Sequence, residues 1–173
     1  MLFMKKIYCV GFMGVGKTTL TKEAAHVLQM RHIDTDELLE NGFQQSISQW
    51  VAQHDMTTFR IKEHDLLVQL DQTPITTAII STGGGIVENE ENRDILRQNH
   101  VIYLYDHFET IYQRLIQERV QRPLVQQLTK DELYDVYKQR QPFYEYVADD
   151  TIELSDNITQ NTELLIKAIL NMK

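Results

Sequence analysis

Short apolar runs alternate with longer amphipathic segments along this chain of 173 residues. Short apolar runs bounded by polar or turn-forming residues are typical of buried strands, and apolar residues spaced three and four positions apart are typical of helices. The pattern predicts strands at residues 6–10, 32–34, 77–81, 101–105 and 151–154. It predicts helices at residues 17–29, 46–54, 58–70, 90–98, 108–118, 130–146 and 161–172.

Strands that alternate with helices indicate an α/β fold with a parallel sheet. We therefore predict a three-layer α-β-α fold around a five-stranded parallel sheet. Neither an internal repeat nor a linker divides the sequence, so residues 1–173 are expected to form one domain. The helices at 46–54 and 58–70 are expected to form an insertion whose inner face carries Ile61, Leu66, Leu67 and Leu70.

A glycine-rich segment, GFMGVGKT at residues 11–18, lies directly between the first predicted strand and the first predicted helix. It fits the phosphate-loop pattern G-x-x-x-x-G-K-[ST], in which backbone N–H groups and a helix N-terminus surround phosphate. Lys17 can reach the β- and γ-phosphates, and the Thr18 hydroxyl can ligate Mg²⁺. A chance match in a glycine-rich turn is the alternative, but the strand and helix on either side favour nucleoside triphosphate binding.

Composition and charge narrow the possible partners. The formal net charge of −8 argues against nucleic acid, because an acidic surface repels a phosphate backbone. The single cysteine, Cys9, cannot form an intramolecular disulfide and fits a reducing compartment. No segment approaches the roughly 18 apolar residues of a membrane span. We expect a cytoplasmic protein with neither a membrane nor a nucleic-acid partner.

Phosphate loops occur in GTPases, motor ATPases and kinases, and other motifs separate these classes. A GTPase needs the guanine-binding pattern N/T-K-x-D, whereas TKDE at residues 129–132 carries Glu132 in place of the aspartate. The short single domain disfavours a motor. A small-molecule kinase remains, and it requires a second site for the phosphate acceptor.

Two aspartates lie at the end of the second predicted strand: Asp34 is its last residue, and Asp36 lies two positions further along. The carboxyl edge of a parallel sheet is where α/β proteins bind ligands. Asp34 can orient the hydration shell of Mg²⁺, and Asp36 can accept a hydrogen bond or a proton from an acceptor hydroxyl. Asp36 also suits the N-cap of a helix, a role compatible with catalysis.

Three consecutive glycines and several arginines complete the candidate acceptor site. Glycines 83–85 follow the third predicted strand, where bare backbone would let a ligand approach closely. Arg60, Arg122 and Arg140 are candidates for anion binding, although a solvated surface position is the ordinary alternative for each. Residues 121–129 are expected to form a lid that closes over nucleotide, or otherwise an ordinary connection.

Six motifs, taken together, resemble those of the shikimate kinase family, which is one of the nucleoside-monophosphate-kinase-like P-loop families. They occur in the family's order and cover about residues 5–154: GFMGVGKTT at 11–19, DTD at 34–36, FRIKE at 59–63, TGGG at 82–85, RPLV at 122–125 and RQPFY at 140–144. The resemblance implies ATP-dependent phosphorylation of the 3-hydroxyl of shikimate to shikimate 3-phosphate, on the route to chorismate and the aromatic amino acids. It also implies Mg²⁺ as the cofactor.

The resemblance further implies roles for individual residues. The catalytic residues would be Lys17, Asp36 and Arg122. The residues that contact ATP would be Gly14, Val15, Gly16, Lys17, Thr18, Thr19, Arg122 and Arg114, the last of them stacked on adenine. The residues that contact shikimate would be Asp36, Arg60, Gly83, Gly84, Gly85 and Arg140. Thr18 and Asp34 would hold the metal, and Glu63 would orient Arg60. The acceptor-binding insertion would span about 35–60 and the lid about 119–130, in a protein expected to be a monomer.

The sequence departs from the family in the acceptor region. Asp55 and Met56 replace the usual Gly-Glu pair, and Val51, with Trp50 beside it, replaces a usual aromatic residue. These changes leave acceptor preference open. The alternatives are a kinase for a nucleotide or for another hydroxy acid such as gluconate, and a non-catalytic ATP-binding regulator.

Overall fold

Five parallel strands form one sheet in the computed structural model, which describes residues 5–75, 77–117, 125 and 127–172. The strand order is β2-β3-β1-β4-β5. The bounds are β1 (Lys5–Val10), β2 (Arg31–Asp34), β3 (Thr77–Ser81), β4 (His100–Tyr105) and β5 (Asp150–Glu153). The predicted five-stranded parallel sheet is therefore confirmed.

Helices cover both faces of this sheet, which confirms the three-layer prediction. They are α1 (Lys17–Leu28), α2 (Thr35–Phe43), α3 (Ile47–His54), α4 (Met56–Gln72), α5 (Glu90–Arg97), α6 (Phe108–Gln117), α7 (Lys130–Val147) and α8 (Ile158–Leu170). A 3-10 turn, Ile86–Glu88, precedes α5. Within the part of the chain that the structure describes, none of the helices has the length and apolarity to cross a bilayer.

The centre of the sheet is β1, whose register runs from Ile7 opposite Ile79 on β3 to Val10 opposite Tyr103 on β4. Tyr8, Cys9 and Val10 are completely buried. Strands covered on both faces consist of continuous apolar residues, which explains why their positions were predictable. Because β1 is central, the loop that follows it lies at the middle of the sheet's carboxyl edge.

The two predicted insertion helices are present as α3 and α4, and residues 35–43 form a further helix, α2, that the sequence pattern did not predict. A separate apolar cluster of Leu39, Trp50 and Phe59 joins α2, α3 and α4. The predicted inner face was partly wrong, since Ile61 is 54% exposed. The side chains that α4 buries are Phe59, Glu63, Leu67 and Leu70.

Candidate active site

The loop after β1 has the conformation that phosphate binding requires. Gly14 and Gly16 have φ values of 77° and 96°, in the left-handed region that favours glycine. Lys17 starts α1 and is buried, and its Nζ donates to the carbonyl oxygens of Gly11 at 2.7 Å and Phe12 at 3.0 Å. The ammonium therefore lies inside the curve of the loop.

Asp34 joins the loop to the start of α2. The Thr18 hydroxyl donates to Asp34 Oδ2 at 2.6 Å, and Asp34 Oδ1 accepts the backbone N–H groups of Asp36 and Glu37 at 3.0 and 3.1 Å. Asp34 is thus the N-cap of α2. The hypothesis that Asp36 caps this helix was wrong, because the helix begins at Thr35 and places Asp36 in its first turn.

Two adjoining cavities lie at this edge of the sheet. The smaller, of about 170 Å³, contains most of the predicted nucleotide-binding residues: Gly14, Gly16, Lys17, Thr18, Thr19 and Arg114. The larger, of about 530 Å³, contains the predicted acceptor residues Asp36, Arg60, Gly83, Gly84, Gly85 and Arg140. Thr18, Asp34, Asp36 and Gly84 line both cavities. The fold therefore places the two predicted half-sites in direct contact.

Arg60 and Arg140 lie side by side in the larger cavity and share a carboxylate partner. Arg140 Nε and Nη2 lie 2.8 and 2.7 Å from Glu88 Oε1, and Arg60 Nε lies 3.1 Å from Glu88 Oε2. Arg60 Nη1 also donates to Glu63 Oε2 at 2.6 Å. Buried Arg140 Nη1 and buried Glu63 Oε1 have no hydrogen-bond partner among the described residues. Such orphaned charged atoms are expensive to bury and indicate a polar ligand.

Burial dominates the electrostatics of Glu63. Loss of hydration raises the pKa of this carboxyl, and the neighbouring Arg60 guanidinium opposes that increase. The glutamate side chain is 1% exposed. The predicted partnership of Glu63 with Arg60 is thus present as a short, buried ion pair in the structure.

The glycines after β3 make room for side chains of the site. A Cβ atom at Gly83 would lie 2.7 Å from Glu63 Oε1 and 2.8 Å from Asp36 Oδ1. A Cβ atom at Gly85 would overlap the Arg60 guanidinium. The sequence suggested that bare backbone here serves a ligand. The structure adds that it allows two carboxylates and an arginine to converge.

Sequence reasoning missed three residues that support the site. Glu88 bridges the arginines as described, the buried Thr35 hydroxyl accepts the N–H of Gly83 at 3.1 Å, and the Tyr144 hydroxyl donates to the carbonyl of Gly84. Tyr144 was noticed as part of RQPFY without a role. Thr35 likewise lies inside the DTD motif and had no assigned role, whereas Glu88 lies outside all six motifs. Its partners Arg60 and Arg140 are distant along the chain.

The remaining predicted residues have different outcomes. Arg114 Nη1 donates to Asp106 Oδ2 at 2.9 Å, which holds the guanidinium beside the phosphate loop. Val15 is buried at the base of that loop. Arg122 and most of the predicted lid, residues 119–124 and 126, lie outside the described residues.

The residues of the acceptor region that differ from the family pattern lie at different distances from the larger cavity. Met56 lines the larger cavity together with Ile47 and Phe59. Trp50 is instead buried behind this wall, with its ring stacked between Phe43 and His54 at centroid distances of 4.5 and 4.3 Å. The apolar side chains that an acceptor would meet are therefore Met56, Ile47 and Phe59, together with Met13 of the phosphate loop.

A phosphate loop after the central strand, joined to a second cavity with two arginines, defines a P-loop phosphotransferase with a separate acceptor site. A model of the shikimate kinase family matches residues 13–171. The chain therefore belongs to the shikimate kinase family, and the predicted resemblance is confirmed.

Individual shikimate kinases are similar to this chain over nearly its whole length. A shikimate kinase of Enterococcus faecalis is 36% identical over 169 residues, which cover 96% of this chain and 97% of that protein. The structure of a shikimate kinase from Acinetobacter baumannii in complex with shikimate has a TM-score of 0.89 and 31% identity, covering 98% of this chain and 96% of that one. A shikimate kinase structure from Aquifex aeolicus has a TM-score of 0.81 and 25% identity, covering 95% of this chain and 96% of that one.

Proposed function

We propose that the protein transfers the γ-phosphoryl group of ATP to the 3-hydroxyl of shikimate, which yields ADP and shikimate 3-phosphate. The observation that carries this proposal is the buried guanidinium of Arg140, whose Nη1 lacks a hydrogen-bond partner among the described residues in a cavity adjoining the phosphate loop. A small acceptor with a carboxylate would satisfy that atom. Membership of the shikimate kinase family supports the same acceptor.

The donor half of the reaction is assigned to the smaller cavity. The triphosphate would take the place of the Gly11 and Phe12 carbonyl groups as the partner of Lys17, and the loop N–H groups would bind its oxygens. Arg114 would border the adenine. Arg122 would approach the transferred phosphoryl from the lid, where added positive charge stabilises the transition state.

The oxygen atoms of Thr18 and Asp34 suit Mg²⁺, which is a hard cation that prefers oxygen ligands. They lie 2.6 Å apart at the boundary between the two cavities. No group of three or more metal-ligating side chains occurs among the described residues, and Mg²⁺ in phosphotransferases takes most of its ligands from phosphate and water. We propose that Thr18 binds the ion and that Asp34 orients its water. The ion would neutralise charge on the phosphates.

The acceptor half is assigned to the larger cavity. Arg60 and Arg140 would bind the carboxylate of shikimate, while the backbone of residues 83–85 and the side chain of Asp36 would contact its hydroxyl groups. The 3-hydroxyl oxygen forms the new bond to the γ-phosphorus as the bond to ADP breaks, and Asp36 accepts the hydroxyl proton. Positioning supplies most of the acceleration in such reactions.

A coupled assay of ADP release with a panel of acceptors tests this proposal. With ATP and Mg²⁺, we expect shikimate to stimulate ADP release strongly, and gluconate and nucleoside monophosphates to leave it near the rate without acceptor. The phosphorylated product should be identified by mass spectrometry and by the phosphorus NMR coupling of its 3-position. Preference for another acceptor would refute the substrate assignment. ATP binding without any acceptor-stimulated turnover would indicate a non-catalytic regulator.

A further inference from the structure

We propose that Glu88 is a positioning residue that holds Arg60 and Arg140 as a fixed pair for the acceptor carboxylate. This inference rests on the proposed function and extends it to a residue outside the family motifs. Glu88 follows the glycine segment by three positions and ends the 3-10 turn. Its contacts with Arg60 on α4 and Arg140 on α7 link these two helices at the acceptor cavity.

Each oxygen of the Glu88 carboxylate contacts a different arginine. Oε1 accepts from Arg140 Nε at 2.8 Å and lies 2.7 Å from Nη2. Oε2 lies 3.1 Å from Arg60 Nε, an ion pair without the geometry of a hydrogen bond. One edge of the Arg140 guanidinium is thereby occupied, and Nη1 on its other side remains buried without a partner among the described residues. The bridge fixes the plane of the guanidinium and leaves an N–H group for a ligand.

Glu88 is itself held in place by backbone contacts. Its N–H donates to the carbonyl oxygen of Gly85 at 3.0 Å. Arg93 Nη1 donates to the carbonyl oxygens of Val87 at 2.7 Å and Glu88 at 3.0 Å. Because these hydrogen bonds hold the turn, Glu88 loses little conformational entropy when its carboxylate binds a guanidinium. Arginines that are already held in place in this way favour binding of the acceptor.

Charge balance gives the bridge a second effect. Two neighbouring guanidinium groups repel each other, and burial strengthens that repulsion because the effective dielectric constant falls. Two carboxylates oppose this repulsion, because Glu88 contacts both guanidinium groups and Glu63 contacts that of Arg60. Glu88 contacts both arginines but is not itself among the described residues that line the larger cavity. This role requires that the acceptor bind the arginines without displacing Glu88.

The test compares Glu88→Ala, Glu88→Gln and Glu88→Asp with wild type in steady-state kinetics. We expect Glu88→Ala to raise the KM for shikimate about tenfold, which is the effect of one weakened charge-assisted hydrogen bond. The kcat and the KM for ATP should stay within about twofold, because the phosphate loop is untouched. Glu88→Gln keeps an accepting oxygen and should show a smaller increase, and Glu88→Asp should recover part of the affinity.

Glu91→Ala is the matched control. This glutamate lies three residues further along the chain, and its side chain is 75% exposed. Its Oε2 lies 3.4 Å from His64 Nε2. Its removal should leave all kinetic constants near those of wild type. Thermal unfolding of each variant identifies any that fail to fold, and Glu88→Gln keeps the shape of the side chain for the case in which Glu88→Ala does so.

Methyl shikimate, in which the carboxylate is esterified, distinguishes positioning from general damage. Wild type should prefer shikimate strongly, and Glu88→Ala should lose much of that preference, whereas a merely structural effect would weaken both acceptors equally. An unchanged or lower KM for shikimate in Glu88→Ala would overturn the inference. Equal weakening of both acceptors would also overturn it. Failure of wild type to phosphorylate shikimate would instead refute the proposed function itself.

Discussion

Replacement of Arg140 by lysine tests the acceptor site most directly. Arg140 is 3% exposed and offers three nitrogen atoms, two of which contact Glu88 while Nη1 remains for a ligand. Lysine keeps the positive charge but presents it as a single compact ammonium. That ammonium can stay with Glu88 or bind the acceptor carboxylate, and it cannot reproduce the planar geometry that serves both.

The expected effect follows from the loss of one hydrogen bond between charged groups. Such a bond contributes about 1.5–3 kcal/mol, so Arg140→Lys should raise the KM for shikimate about 30-fold at a mid-range value of about 2 kcal/mol. The kcat should fall by much less, because the carboxylate is remote from the transferred phosphoryl. The KM for ATP should change little.

ADP release coupled to NADH oxidation measures these constants over a range of shikimate concentrations. Arg97→Lys is the control, since Arg97 is an exposed arginine whose Nη1 donates to the carbonyl oxygen of Tyr146 at 3.2 Å, away from the cavity. Its constants should match those of wild type. A large loss of kcat in Arg140→Lys with an unchanged KM for shikimate would refute the assignment of Arg140 to the acceptor carboxylate.

Three further changes test other parts of the site. Lys17→Ala should lower kcat by a factor of about 10² or more, because the transferring phosphoryl loses its cation, and near-normal turnover would refute the donor assignment. Gly83→Ala should raise the KM for shikimate because the new Cβ displaces two carboxylates, whereas Gly42→Ala, which meets no atom within 4 Å, should be kinetically neutral. Burial raises the pKa of the Cys9 thiol to about 12, against the opposing effect of Lys17, so a disulfide reagent at mildly alkaline pH should label it only after unfolding. Rapid labelling of the native protein would contradict that burial.

The three central strands, β3, β1 and β4, were predictable because they are short and mostly apolar runs whose residues are largely buried. Helix α2 was not, because Leu39 is its single buried apolar side chain and its cap, Asp34, belongs to the preceding strand. In α4 a charged residue, Glu63, occupies the buried stripe between Phe59 and Leu67. A pattern of apolar residues could not reveal that stripe, which explains the wrong assignment of Ile61.

The candidate site was predictable only where a local motif carried it. The phosphate loop needs a few adjacent residues, whereas the bridge from Arg140 to Glu88 joins positions 52 apart in sequence. Such a contact depends on how α7 packs against the turn that follows Gly85. Tertiary packing of this kind leaves no periodic signal in the sequence.

The boundary shared by the two cavities has a thermodynamic consequence. Thr18, Asp34, Asp36 and Gly84 line both, so a ligand that shifts these atoms in one cavity alters the other. Any coupling free energy between two such ligands is reciprocal, because linkage requires each to change the other's dissociation constant by the same factor. The factor by which shikimate changes the Kd of the nucleotide must therefore equal the factor by which the nucleotide changes the Kd of shikimate. With such coupling, the affinity measured at either cavity depends on whether the other cavity holds its ligand.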